Sequence, residues 1–356
     1  MPSRSQHRAL RRRAVTVCSA AALAASVTAG TAGSSAAAVP AAKGGIPSGI
    51  TLNVGDQNQS AETLMASSGL LKGAPYKVNF VEFSNGPLID AALASDKLDL
   101  GAMGDTPAEG AVGEHLAVKA VLTSLAQGAS SWLVARPGIT SIAQLKGKKV
   151  AYTTGTAQQA FALRALATAG LTQHDVQQVN VTLQQLGTVI ESGNADASIL
   201  SVQYKTDYLE QKPDAKVLAN NATTKPPAYG YTVATTAALD NPGKLAAIKD
   251  YIRRDIEANI WERSHRSQWI QDYYVDVEHQ TTQQAKTILA AGGLSHFVPI
   301  GKKQQNALQG VVKLLVKSGA IPKSFSVAPL YSTKIEAISN GILNQVTAGK
   351  GQAVQG

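Results

Sequence analysis

Residues 81–107 read VEFSNGPLIDAALASDKLDLGAMGDTP, and this stretch sets the expected architecture of the chain. Val78, Phe80 and Val81 belong to a run of β-formers that ends at the turn signal Ser84-Asn85-Gly86-Pro87. Leu88, Ile89, Ala92, Leu93 and Leu98 then recur at helical spacing, and Leu98-Asp99-Leu100-Gly101 begins another extended segment. Gly104-Asp105-Thr106-Pro107-Ala108-Glu109 opens a second helix. Thr106 suits the N-cap, Pro107 the first helical position, and Thr106 with Glu109 has capping-box spacing. A strand that passes through a glycine turn into a helix leaves backbone N–H groups free at its carboxyl end. With the helix dipole, those groups attract anions. Taken alone, the segment is a well-capped helix with no ligand.

Repetition changes that reading. Lys149 to Thr154 is a strand followed by Gly155-Thr156-Ala157-Gln158-Gln159, and Phe161, Leu163, Leu166 and Ala167 mark a helix ending near Gly170. Its start carries neutral hydroxyls and amides. Nearer the N-terminus, Leu52-Asn53-Val54 leads into Gly55-Asp56-Gln57-Asn58-Gln59-Ser60, with Ser60 expected to cap a helix containing Leu64, Met65 and Leu70. Several such turns predict a doubly wound α/β chain whose ligands bind at the carboxyl ends of strands. Further strands are expected at 118–123, 131–135, 179–181, 197–200 and 217–219, and an extended crossing segment at 229–235. Beyond it the texture is helical: Asn241-Pro242 is a cap and first-position pair, and Leu245, Ile248, Ile252, Ile256 and Ile260 form one apolar face. Later helices hold Ile288-Leu289 and Leu308, Val311, Val312 and Leu315.

At 356 residues the chain can hold two compact domains. The first 38 residues read as an export signal. Arg4, Arg8 and Arg11-Arg12-Arg13 form a basic start, an apolar run follows from Ala14 to about Ala29, and Ala36-Ala37-Ala38 offers a cleavage pattern. The run is too short and alanine-rich for a membrane span. Removing it lowers the net charge of +9 by the five arginines, and no basic stripe with interleaved aromatics remains for nucleic acid. The one cysteine, Cys18, lies inside the apolar run and is poorly placed for a lipid anchor. The exported chain therefore has no disulfide, cysteine nucleophile or thiolate metal site.

Assembled, these residues resemble the solute-binding proteins of ABC importers, in the branch that binds sulfonates, taurine and nitrate. The likeness rests on Val81 to Pro87, Gly104-Asp105-Thr106-Pro107, Leu145 to Ala151, Leu163-Arg164-Ala165-Leu166 with Ala169-Gly170-Leu171-Thr172, Glu191 to Ala197, and Gly319-Ala320-Ile321-Pro322. It implies a type II-like two-lobe periplasmic-binding-protein fold, each lobe a doubly wound, mostly parallel sheet, joined by two crossing strands. Lobe one would comprise residues 49–134 and the helical part 236–345, lobe two residues 135–235, and 346–356 a disordered tail. It further implies an anion held at helix starts by Gln57, Asn58, Ser60, Asn85, Gly86, Asp105, Thr106, Gly155, Thr156 and Ala157, with the Thr106 and Thr156 hydroxyls as donors, and with Gln203 beside them. No cofactor or metal is implied. The expected partners are a small organic anion and an ABC permease with its ATPase, and the protein is expected to be a monomer.

One departure bears on the ligand. Where relatives of that branch often carry Trp-Asp-Pro-Tyr, this chain has Ser201-Val202-Gln203-Tyr204. With neither the tryptophan nor the aspartate at that position, a bulkier sulfonate with an uncharged tail is expected over a small amino-sulfonate. The alternative is an enzyme of the same fold, of desulfinase or pyrimidine-precursor type. His115, His174, His265, His279 and His296 are scattered without metal or catalytic spacing, which favours binding over chemistry. The export signal carries its own test. N-terminal sequencing of secreted protein should find a start between about Gly30 and Lys43, where small residues cluster, whereas a lipid-modified Cys18 on the mature chain would refute it.

Overall fold

Leu52 and Val54 are fully buried and alternate with the half-buried Thr51 and Asn53, so β1 (Thr51–Gln57) is a strand with one core-facing edge of side chains. The computed structural model describes residues 45–126, 128–222, 227–292 and 295–348. From β1 the chain alternates through α1 (Ser60–Ser68), β2 (Lys77–Phe83), α2 (Gly86–Ala94), β3 (Leu100–Met103), α3 (Asp105–Gly113) and β4 (Val118–Ala126). A second run follows: β5 (Trp132–Ala135), β6 (Lys149–Ala151), α4 (Ala157–Thr168), β7 (Gln177–Val179), α5 (Leu186–Glu191), β8 (Ala197–Leu200), α6 (Val202–Gln211) and β9 (Lys216–Asn220). After β10 (Tyr229–Thr235) come α7 (Thr236–Asp240), α8 (Pro242–Ser264), α9 (Arg266–Trp269) and a π-helical turn (Ile270–Val275). The chain continues with α10 (Thr282–Gly292), β11 (Ser295–Val298), α11 (Lys302–Lys317) and α12 (Thr333–Thr347).

The described strands form a six-stranded sheet, ordered β11-β4-β10-β3-β1-β2, and a five-stranded sheet, ordered β7-β6-β8-β5-β9. β1 is parallel to β2 and β3, and β6 is parallel to β7 and β8. β10 runs antiparallel to β3 and β4, β11 to β4, and β5 to β8 and β9. Both sheets are mixed but mostly parallel in strand direction: β1 to β4 run one way with β10 and β11 against them, and β6 to β9 run one way with β5 against them, β5 and β10 being the strands entered by the crossings. Two boundaries move with these crossings. β5 lies wholly in the second sheet although position 134 was the expected end of lobe one, and β10 belongs to the first sheet although it was placed in lobe two. At the other end α12 runs to Thr347 with Val346 buried, so the expected tail begins inside a helix. The signal at 1–38 and residues 349–356 lie outside the described residues.

Each sheet is flanked by two apolar clusters. On the first, Leu52, Val54, Met65, Tyr251 and Ile252 form one, and Ile89, Leu93, Met103, Ala108 and Val233 the other. Leu133, Val150, Phe161, Leu163 and Ile199 fill one cluster of the second sheet, and Trp132, Leu186, Ile190 and Leu200 the other. α11 joins the two halves. Its Leu308 and Val312 pack with Ile89 and Ala108, while Val311 and Leu315 pack with Phe161 and Leu163. The expected assignment of this helix to lobe one alone is thus incomplete.

Glycine permits the tightest approach between α2 and α3. A Cβ on Gly86 would lie 2.3 Å from Pro107 Cγ, so α2 can begin against the ring of α3 only without a side chain. Across the halves, a Cβ on Gly104 would stand 3.1 Å from Ala157 Cβ, and one on Gly155 the same distance from Pro87 Cγ. The starts of α2, α3 and α4 are in contact. Beneath that contact, Arg164 Nη2 of α4 donates to Asp105 Oδ2 of α3 at 2.7 Å, with both side chains almost wholly excluded from solvent. Asp105 Oδ1 accepts from the Thr106 hydroxyl, and Arg164 Nε is buried without a partner. Removing one member of such a pair strands the other charge in a low dielectric, which costs about 3–5 kcal/mol, whereas removing both is far milder. Arg164→Met should therefore lower the urea midpoint sharply, and Asp105→Leu added to it should restore part of the loss. Losses that simply add in the double variant would contradict this account.

Candidate functional site

Several helices begin at the carboxyl ends of strands, and the chain treats their free amides differently. At α1 the amides are already occupied. Asp56, 2 % exposed, accepts from the amides of Gln57, Ala61 and Glu62 and from the Ser60 hydroxyl, at 2.8–3.2 Å. Asn58 and Gln59 adopt left-handed backbone, φ 55° and 54°, which turns both amides onto the Glu82 carboxylate at 2.5 and 2.9 Å. Ser60 is thus the first helical residue, not the cap, and its cap chemistry comes from Asp56. The Gln57 side-chain amide is spent on the Ala102 carbonyl at 2.9 Å.

α2 is closed by Asn85, whose Oδ1 accepts from the Leu88 amide at 3.2 Å. At α3 the helix starts two residues earlier than expected. Gly104 is the N-cap, Asp105 the first helical residue, and the Thr106–Glu109 capping box does not form. Thr156 does stand at the N-cap of α4, but its hydroxyl donates to the Thr153 carbonyl at 2.7 Å. The Gly155 amide donates to Gln159 Oε1 at 2.8 Å. Both hydroxyls expected to hold an anion are therefore buried and engaged internally, Thr106 with Asp105 and Thr156 with Thr153.

α6 is different. Ser201 is its N-cap, no side chain caps it, and Val202, Gln203 and Tyr204 supply first-turn amides that have no helical acceptor. These residues line a cleft of about 380 Å³ together with Asn58, Ser130, Leu183, Gln184, Tyr273, Tyr274, Glu278 and Gln280. The expected site residues are thus dispersed. Asn58 and Gln203 share this cleft, whereas Thr106 and Gly155 line a second cavity of about 230 Å³ with Asp90, Glu109 and Glu114. Ser60 lines a third, of about 320 Å³, with Asp255 and Glu262. Asn85, Gly86, Asp105, Thr156 and Ala157 pack at the contact of helix starts.

Charge separates the three cavities. In the second, burial pushes the Asp90 carboxyl up to about 8, with Glu114 and Glu109 adding repulsion. Glu109 is pushed up to about 8 by burial and then by Asp105. The third also carries two carboxyl groups. An anion in either would have to keep these raised carboxyl groups protonated. Among the described residues, Glu278 is the one acidic or basic side chain lining the cleft, and the other polar walls are amides and hydroxyls.

The aromatic wall missing at 201–202 is supplied from another element. Trp269 stacks on Tyr273 at 4.6 Å, and Tyr273 meets Tyr274 edge-on at 5.1 Å. The π-helical turn carries both tyrosines to the cleft, and such turns recur at functional sites. Burial raises both phenols, Tyr274 to about 12, with Glu278 contributing to each. The sequence signal was the adjacent Tyr273-Tyr274 in a chain with only 5 % aromatic residues. Arg164 likewise stood out as a charge inside the apolar face Phe161, Leu163, Leu166. Among the described residues, no group of His, Cys, Asp or Glu side chains converges for a metal ion, and no helix is long and apolar enough to cross a membrane.

Known proteins resemble the chain in sequence and in fold. Residues 59–257 match the family described as NMT1/THI5 like. A protein of Escherichia coli (strain K12) named as an aliphatic sulfonates-binding protein is 30 % identical over 224 residues, covering 62 % of this chain and 69 % of that protein. Among solved structures, the periplasmic aliphatic sulphonate binding protein SsuA from Escherichia coli has a TM-score of 0.69 at 24 % identity, covering 80 % of this chain and 93 % of that one. The alkanesulfonate-binding protein SsuA from Xanthomonas axonopodis pv. citri, bound to MOPS, gives 0.68 at 21 %, covering 80 % and 99 %. The fold also extends to the desulfurization enzyme DSZB, at 0.57 and 11 % identity, covering 83 % and 99 %. With its two mixed α/β sheets, its two crossings and its matched sequence, the chain belongs to the NMT1/THI5-like family and has the periplasmic-binding-protein fold of the sulfonate-binding proteins.

Proposed function

We propose that the protein is the extracytoplasmic solute-binding component of an ABC importer, capturing a sulfonate-like organic anion between its two lobes and delivering it to a permease. In this reading it is exported, soluble without a lipid anchor, and monomeric. The observation that carries the ligand class is the uncapped start of α6 in the cleft, where successive first-turn amides meet the Ser201 hydroxyl and the neutral side chains of Asn58, Ser130 and Gln203. Convergent N–H and O–H donors at the positive end of a helix suit a sulfonate, which presents three acceptor oxygens and one spread charge. The relative from Escherichia coli named for aliphatic sulfonates supports the same class. The cleft's volume of about 380 Å³ suits a small organic molecule.

Binding without chemistry is favoured over the enzyme alternative. Among the described residues no histidine lines the cleft, and the only cysteine of the chain is Cys18. The carboxylate Glu278 is a poor sole candidate for acyl or sulfur chemistry, since nothing beside it in the lining serves as a nucleophile activated by a base.

Thermal unfolding with a panel of organic sulfonates, sulfate and nitrate tests this reading. A ligand that binds only the native state, present at a hundred times its Kd, should add about 2.7 kcal/mol of stability. At least one sulfonate should raise the melting temperature and be recovered unchanged by mass spectrometry. Conversion of that compound by the purified protein would favour the enzyme alternative, and no response to any oxyanion would remove the anion reading.

A further inference from the structure

The cleft holds two groups that an alkyl sulfonate leaves unanswered. Gln280 Oε1 is buried and has no hydrogen-bond partner, while its own Nε2 donates to the Glu278 carbonyl at 3.2 Å and its amide to the Tyr274 carbonyl at 2.7 Å. The side chain is thus anchored with its acceptor unmatched. Beside it, the Glu278 carboxylate accepts from the Tyr273 hydroxyl at 3.1 Å, which uses one of about four lone-pair sites. Among the described residues, no cation lines the cleft. Lys205, on the same helix as Gln203, is turned to the ring of Trp132, 4.6 Å from its centroid.

Buried acceptors in native proteins are matched by donors, and an aromatic face beside a carboxylate attracts a cation. Resting on the function proposed above, we propose that the ligand is a zwitterion, whose oxyanion meets the start of α6 and whose protonated amine meets Glu278, Gln280 and the Tyr273 ring. The amine must carry N–H bonds, because Gln280 Oε1 calls for a donor and not merely for positive charge. The expectation of an uncharged tail, which followed from the loss of the aspartate at position 202, is thereby reversed. The counter-charge enters from the turn after the π-helical segment rather than from the start of α6.

Isothermal titration with matched sulfonates of one chain length decides the point, comparing a methyl, a primary ammonium and a trimethylammonium terminus. A hydrogen bond to a charged group should favour the ammonium over the methyl form about tenfold or more, with the trimethyl form between them. Glu278→Gln keeps the shape and the Tyr273 contact, and it should abolish the preference by weakening the ammonium form about tenfold or more. Equal or tighter binding of the methyl form, or a preference that survives in Glu278→Gln, would overturn the proposal. If no sulfonate binds, a simple alkylammonium ion serves as the probe. Its binding, lost in Glu278→Gln, would uphold the amine corner while the sulfonate reading fails, and its absence would overturn both.

Discussion

The buried ion pair between Asp105 and Arg164 is the constraint on which the arrangement of helix starts depends. It joins α3, packed on the six-stranded sheet, to α4, packed on the five-stranded one. Taking both charges out of water is expensive, and only their 2.7 Å contact with the Thr106 hydroxyl alongside offsets that cost. A charge pair of this kind tolerates little displacement, since separation exposes each ion to the apolar clusters around it. It therefore fixes α3 against α4 more tightly than the surrounding leucines and alanines would. The closeness of Gly104 to Ala157 and of Gly155 to Pro87 follows from that docking, and α11 then finds one continuous surface across both halves.

A second consequence is that the most conspicuous helix starts are not the open ones. Asp56 and Glu82 fill the start of α1, Asn85 caps α2, and α3 and α4 are pressed together with Thr106 and Thr156 turned inward. Anion affinity is a property of a helix start only while its amides lack acceptors and a void adjoins them. α6 meets both conditions. The carboxyl groups around the other two cavities add a second filter, because an anion approaching Asp90 and Glu109 either meets negative charge or must keep those groups protonated. Selectivity thus arises from where the chain places its own carboxylates.

Much of the fold was legible in the sequence because it rests on local patterns. The extended segment at Leu52-Asn53-Val54, the turn at Ser84 to Pro87, the Asn241 cap and the apolar stripe of α8 each act within a few residues, and each stands in the structure. The site was less legible because its decisive contacts are long-range. Ser60 has the composition of a cap, yet Asp56 at the end of β1 reaches the amides first. Thr106 has capping-box spacing to Glu109, but the pull of Arg164 on Asp105 fits a helix that begins two residues earlier. Ser201 and Val202 read as a loss of aromatic surface, and only the π-helical turn some seventy residues later supplies the tyrosines that replace it. The mixed character of the sheets was hidden for a related reason, since strand direction depends on where a crossing enters and not on the strand's own residues.

The central claim is that the ligand's anionic end rests on α6 rather than between α3 and α4. A crystal structure of the protein saturated with its best-binding sulfonate tests it most directly. Sulfonate oxygens about 2.7–3.2 Å from the amides of Val202 and Gln203, with the organic portion against Tyr273, are the predicted result. A sulfonate seated between Thr106 and Thr156, with α6 unoccupied and the Asp105–Arg164 pair opened, would contradict the account.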